Sequence, residues 1–221
     1  MIGKTSIAVA LIAAMVVPAS GQTREPVPAP EANAAHRGAA EPAWSFSASV
    51  YTTFVPDDRE YVVPTFTADR DWLHLELRYN YEDLDTVSAW VGYNFIVEDE
   101  ISLEFTPMVG GVFGSTNGYA PGYKGTLSWW QLELYSEGEY LFDSEVDSDS
   151  FFYSWSELTF APVEIFRFGL VTERTRLYDT ASDIQHGLLV GFSGESFDVT
   201  AYLFDPDDTK PIFVLAFGVG F

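Results

Sequence analysis

The segment Pro211–Phe221, PIFVLAFGVGF, decides how the rest of the chain is read. With the two-residue period of a β-strand, Phe213, Leu215, Phe217, Val219 and Phe221 fall on one face. Ile212, Val214, Ala216, Gly218 and Gly220 fall on the other, a row that dwindles to almost nothing. Chain ends are usually frayed and polar, whereas this one is bulky and apolar on one side and small on the other. Such a strand needs an apolar medium on its bulky face and leaves room beside its small one.

The same alternation runs back through the chain. In WLHLELRYNY, Trp72–Tyr81, one face carries Leu73, Leu75, Leu77, Tyr79 and Tyr81, the other Trp72, His74, Glu76, Arg78 and Asn80. The spacing predicts strands over 44–55, 61–69, 72–81, 86–97, 101–113, 119–130, 132–142, 151–160, 165–177, 184–193, 197–204 and 211–221. About twelve strands, an even number, suit an up-and-down antiparallel transmembrane β-barrel, an all-β fold. The weakest of them, 119–130, contains Gly122 and Gly125. Tight connectors such as Arg70-Asp71 and Gly194–Ser196 alternate with longer or more acidic ones: PDDRE, EDLD, GSTNGYAPG, DSEVDSDS, DTASD and DPDDTK. Each class therefore collects at one end of the meander.

A soluble barrel buries its apolar row, and a membrane barrel shows that row to lipid. Three features favour lipid. About twelve strands enclose a lumen wider than one layer of aliphatic side chains fills, eight being the filled size. The strands run near the roughly 9–11 residues of a tilted transmembrane strand. Apolar rows also end near turns in Tyr79, Tyr81, Phe95, Trp129, Phe142 and Phe160, where aromatic girdles lie. Closure additionally removes the edge strands that an apolar sheet would expose.

The 221 residues are 47% hydrophobic and 16% aromatic, too apolar for disorder and rich in strand formers. Thirty-three Asp and Glu oppose 11 Lys and Arg, a net charge of −22 that argues against nucleic acid as a partner. Cysteine is absent, as in many envelope proteins. Residues 1–21 follow the plan of a secretory signal peptide, with Lys4, an apolar run Ile7–Val17 and small residues Ala19, Ser20 and Gly21. That run is shorter than the roughly 20 residues that span a bilayer. Residues 22–43, rich in Pro and Ala, read as a disordered periplasmic linker, and 44–221 as the barrel.

FVLAFGVGF, with Phe221 last and apolar residues at every second position before it, resembles the final strand of bacterial outer-membrane β-barrel proteins. The resemblance implies the Gram-negative outer membrane as location, with outer-membrane lipid and lipopolysaccharide as surroundings. It also implies recognition of Phe213, Leu215, Phe217, Val219 and Phe221 by the barrel-assembly machinery. If both termini are periplasmic, as in that class, the tight turns face the periplasm and the acidic loops face outside. It names no family and no oligomeric state.

By parity the lumen receives Glu76, Glu104, Glu133, Glu137, Glu139, Glu157, Glu173 and Asp198, against Arg78, Lys124 and Arg167, with His74 beside them. That excess of acid biases a pore toward cationic or neutral solutes, unless the groups pair into buried salt bridges that plug it. The loops are too short to suggest a dedicated plug. His186 stands on the apolar row without the nucleophile and orienting partner that surface lipid chemistry needs. Asp143, Glu145, Asp147 and Asp149, at every second position, are oxygen donors of the kind Ca²⁺ or Mg²⁺ takes, although EF-hand spacing is not met. No cofactor is expected. The sequence thus points to a narrow porin-like transport channel. A non-conducting structural or adhesive barrel, a surface lipid-modifying enzyme and a soluble lipocalin-like binder remain as alternatives.

Overall fold

In the computed structural model, residues 43–57, 59–145, 150–177 and 183–221 are described. The segments read above as signal peptide and linker, up to residue 42, lie outside them. The strands are β1 (Ser45–Phe54), β2 (Tyr61–Arg70), β3 (Leu73–Tyr79), β4 (Thr86–Tyr93), β5 (Phe95–Val97), β6 (Ile101–Gly114) and β7 (Gly118–Trp129). They continue as β8 (Leu132–Asp143), β9 (Phe151–Val163), β10 (Phe166–Leu177), β11 (Asp183–Ser193), β12 (Phe197–Phe204) and β13 (Ile212–Gly220). β4 and β5 lie end to end along β6, so the thirteen runs make twelve staves. Each stave pairs antiparallel with its neighbours, and β1 pairs with β13 from Ser47↔Gly220 to Phe54↔Phe213, which closes the barrel.

Alternation sets the two surfaces. Leu75, Leu77, Val91, Val109, Leu170, Leu188, Phe213, Leu215 and Phe217 all point outward and are exposed. In water an apolar surface of this extent would drive association; against lipid it is the favourable surface. Near the tight turns the exterior carries stacked aromatics, among them Trp72 on Tyr93 at 5.4 Å and Phe166 against Phe192 at 5.3 Å. Near the loops Tyr119 stacks on Phe142 at 5.0 Å.

Several boundaries differ from the sequence expectation for local reasons. The predicted strand 86–97 is interrupted at Asn94, whose amide donates to Asp69 and whose carbonyl accepts from Thr106 at 2.7 Å. The segment 119–130 forms a full strand, paired with β6 from Ile101↔Trp129 to Val112↔Gly118. The connector GSTNGYAPG accordingly shrinks to Ser115–Asn117 between β6 and β7. The glycines on these staves make room for a large neighbour: a Cβ on Gly110 would lie 2.4 Å from the Trp90 indole.

The largest departure is at β3, which ends at Tyr79 rather than Tyr81. Asn80 takes φ 58° and Asp85 φ 57°, and Asp85 N donates to Asn80 Oδ1 at 2.8 Å. Asn and Asp tolerate this left-handed backbone better than other side chains with a Cβ. The turn rotates the six-residue loop 80–85 into the barrel, leaving Tyr81 2% and Glu82 1% exposed. Tyr81 is therefore a lumen residue, not a member of an outer girdle.

Candidate functional site

The interior divides along the barrel axis. Toward the loops it is a packed core of Tyr51, Val63, Tyr81, Trp90, Leu141, Tyr153, Trp155, Leu189, Tyr202, Phe204 and Val214. Trp155 anchors it, with edge contacts to Tyr202 and Phe204 at 5.3 Å each and to Tyr51 at 6.4 Å. The expectation that twelve staves leave a lumen too wide to fill holds for aliphatic side chains. Aromatic rings reach further, and here they meet across it.

Beneath this core lies a charged layer. Arg78 is held between rings, 3.9 Å from the Tyr81 centroid and 4.4 Å from that of Trp90. Its guanidinium donates to Glu76 and, at 2.8 Å, to Glu139, with Glu82 at 3.8 Å. Lys124 pairs with Glu76 and lies 3.8 Å from Glu137. The Glu137 carboxylate accepts from the Tyr81 hydroxyl at 3.0 Å and the Tyr135 hydroxyl at 2.6 Å. His74 bridges Asp69 at 2.7 Å and Glu76 at 3.2 Å. Loop 80–85 is thus pinned inside by an aromatic–guanidinium stack, a hydrogen bond and an ion pair. Short loops alone had suggested no plug; six residues suffice when the chain turns inward.

Toward the tight turns the interior opens into a vestibule of about 710 Å³. Its wall includes Ser47, Thr67, His74, Glu104, Lys124 and Asp198, and its mouth lies beside Phe221 and the Gly194–Ser196 turn. Arg167 forms a two-pronged pair with Asp198, 2.8 Å for the Nη2 to Oδ1 arm, and Gly191 beside it leaves the space the guanidinium needs.

All twelve residues assigned to the lumen by parity stand on inward-facing rows. His74, Glu76, Arg78, Lys124, Glu137 and Glu139 gather in the charged layer, and Arg167 and Asp198 at the vestibule wall. Glu133 accepts from Ser128 at 3.1 Å, Glu157 accepts from the Trp155 indole at 2.8 Å, and Glu173 is buried on β10. Glu104 stands on the vestibule wall. Of the acidic loop, Asp143 accepts from the Glu145 amide at 2.7 Å and Glu145 from Asn117 at 3.3 Å, while Asp147 and Asp149 lie outside the described residues. Among the described residues no group of three or more His, Cys, Asp or Glu is arranged to hold a metal ion. His186 is exposed on the outer surface, 3.7 Å from Asp205. Tyr81, Glu82 and Asp69 join the site without having been assigned to it from sequence. Asn80 and Asp85, both turn formers flanking Tyr81, are the signal that marks the inward loop.

A closed antiparallel barrel of twelve staves, apolar outside and charged within, is the architecture of outer-membrane porins. A solved KdgM porin matches with a TM-score of 0.55 and 11% identity, over 79% of this chain and 99% of its own. A KdgM porin in complex with disordered oligogalacturonate matches at 0.54 and 11%, over 80% and 99%. No protein-family model matches the chain, and no curated protein sequence does.

Proposed function

We propose that the protein is a narrow porin-like channel of the outer membrane, closed toward the loops by the aromatic core and the inserted loop 80–85, and open toward the periplasm through the vestibule. In this reading residues 1–21 are removed on export, and β13 is the segment presented to the barrel-assembly machinery. The observation that carries it is the 710 Å³ vestibule leading into the barrel and ending at the charged layer. A barrel serving only as a wall has no need of a hollow half. Acidic side chains outnumber basic ones on the inward rows, which favours cationic or neutral solutes. The solved neighbour's oligogalacturonate is a polyanion, for which this wall is a poor complement.

One observation favours a second reading, a non-conducting structural barrel. The ion pairs of Arg78 and Lys124 are buried, and side chains of this kind resist displacement because an unpaired buried charge costs several kcal/mol.

Planar-bilayer recording separates the two. Wild-type protein should show brief, small openings. The double variant Tyr81→Gly, Glu82→Gly, which removes the inserted loop's share of the plug, should raise unitary conductance and conduct K⁺ in preference to Cl⁻ across a KCl gradient. A folded wild type and a folded double variant that both stay silent would overturn the channel and leave the structural barrel.

A further inference from the structure

The cations that reach the vestibule are already matched. Lys124 is neutralised from behind by Glu76 and Glu137, His74 by Asp69 and Glu76, and Arg167 by Asp198. Glu104, half-buried on the wall, has no hydrogen bond or ion pair among the described residues. Acidic Asp71 and Glu195 stand at the mouth. The vestibule is therefore negative, and its free charge sits on one wall.

A second wall has different chemistry. Along β1 and β2 the inward rows are hydroxylic: Ser47 pairs with Thr67 through their side chains, and directly inward of them Ser49 stands opposite Thr65. Next to β1, the inward row of β13 supplies only Gly220, Gly218 and Ala216, so nothing large covers these hydroxyls from that side. Ser49 is 6% and Thr65 5% exposed, yet neither hydroxyl has a hydrogen-bond partner among the described residues. Buried polar atoms are nearly always satisfied, and an orphan of this kind asks for an explanation. Two such hydroxyls face each other one strand step, roughly 7 Å, beyond the pair that lines the cavity.

We propose that the vestibule is a binding site for small hydroxylated cations, amino sugars being the class that fits. The ammonium is taken by Glu104, and the ring hydroxyls exchange hydrogen bonds with Ser47 and Thr67 on the cavity wall, behind which Ser49 and Thr65 lie one strand step deeper. The cavity volume lies within the range of small-molecule sites, roughly 300–1,000 Å³. The proposal deepens the channel reading, resting on it only for the route by which solute arrives.

Three sugars share one scaffold and differ in charge: glucosamine is a cation, glucose is neutral and glucuronate is an anion. Their binding to the full barrel in detergent micelles, titrated by saturation-transfer NMR at low ionic strength, tests the site without requiring conduction. Wild type should rank glucosamine above glucose above glucuronate, with at least a tenfold gap between the ends that narrows on adding salt. Glu104→Gln should erase the advantage of glucosamine over glucose, and Glu104→Asp should keep part of it. Ser47→Ala should weaken glucosamine and glucose alike. Retention of the unboiled, fast-migrating band on gels shows that each variant has folded. Absence of binding, a reversed order, or a preference untouched in Glu104→Gln would overturn the site. A barrel that binds glucosamine but never conducts keeps this site and loses the channel; one that conducts without binding does the reverse.

Discussion

The two halves of the lumen are built from the same strands and differ in what fills them. Toward the loops, β8, β9 and β12 send in Tyr, Trp, Phe and Leu, and the space closes around Trp155. Toward the tight turns, β1, β2 and β13 send in Ser, Thr, Ala and Gly, and the space stays open. Strand number fixes the bore of a barrel, so residue volume on the inward row decides whether a given level is a wall or a passage. The packed half therefore carries the stability, and the open half is free to carry recognition.

That division breaks most visibly at Trp155. Truncation to Ala removes the ring that touches Tyr51, Tyr202 and Phe204. A loss of about 3–5 kcal/mol is expected, as for large aromatic-to-Ala changes in cores, read as a lower guanidinium midpoint in micelles. A loss under 1 kcal/mol would mean the loop-side half is not a cooperative core.

An intermediate effect is expected at Glu82. Burial pushes its carboxyl above the ordinary carboxylate range, with Arg78 pulling the other way. A carboxyl raised on folding binds its proton more tightly in the native state, so the contribution of Glu82 to stability is greatest at low pH and falls as pH rises from the unfolded value through the folded one. Glu82→Gln should flatten that decline in the unfolding midpoint measured against pH. An unchanged slope would show that loop 80–85 is held without regard to this charge.

The smallest effect belongs to the vestibule. Glu104→Gln removes a carboxylate with no partner among the described residues and should shift stability by no more than about 0.5 kcal/mol in the same guanidinium titration. A larger loss would make Glu104 part of the scaffold, and the contrast between halves would lose its sharpest edge.

Much of this was legible in the sequence. The alternation along the strands placed the apolar rows outside and the twelve assigned charges inside, because a period of two leaves only two choices and one of them puts charges in lipid. The packing of the loop-side half was not legible, because the expectation of a lumen too wide for aliphatic side chains overlooks the longer reach of aromatic rings. Parity that sends Glu157 inward also sends Tyr153 and Trp155 inward. What alternation does not encode is the chain outside the strands. Tyr81 continued the apolar row of β3 by count, but the left-handed turn at Asn80 resets the count and delivers the ring to the opposite surface. Pairings such as Arg78 with Glu139 are set by register between staves that are not adjacent, and a list of charges carries no register.

The seam between β1 and β13 has a kinetic meaning. Phe46 and Phe221 exchange both backbone hydrogen bonds, Phe46 N to Phe221 O at 3.0 Å and Phe221 N to Phe46 O at 2.9 Å. These partners stand at opposite ends of the described chain, so the contact that abolishes the two sheet edges is also the one of greatest sequence separation. Non-local pairing of this kind is slow, because chain entropy is lost before any contact repays it. Until the seam forms, the growing sheet carries two open edges and an uncovered apolar face, the features that lead to aggregation. A net charge of −22 keeps such chains apart through mutual repulsion. The acidity of this protein is then as much a property of its folding as of its lumen.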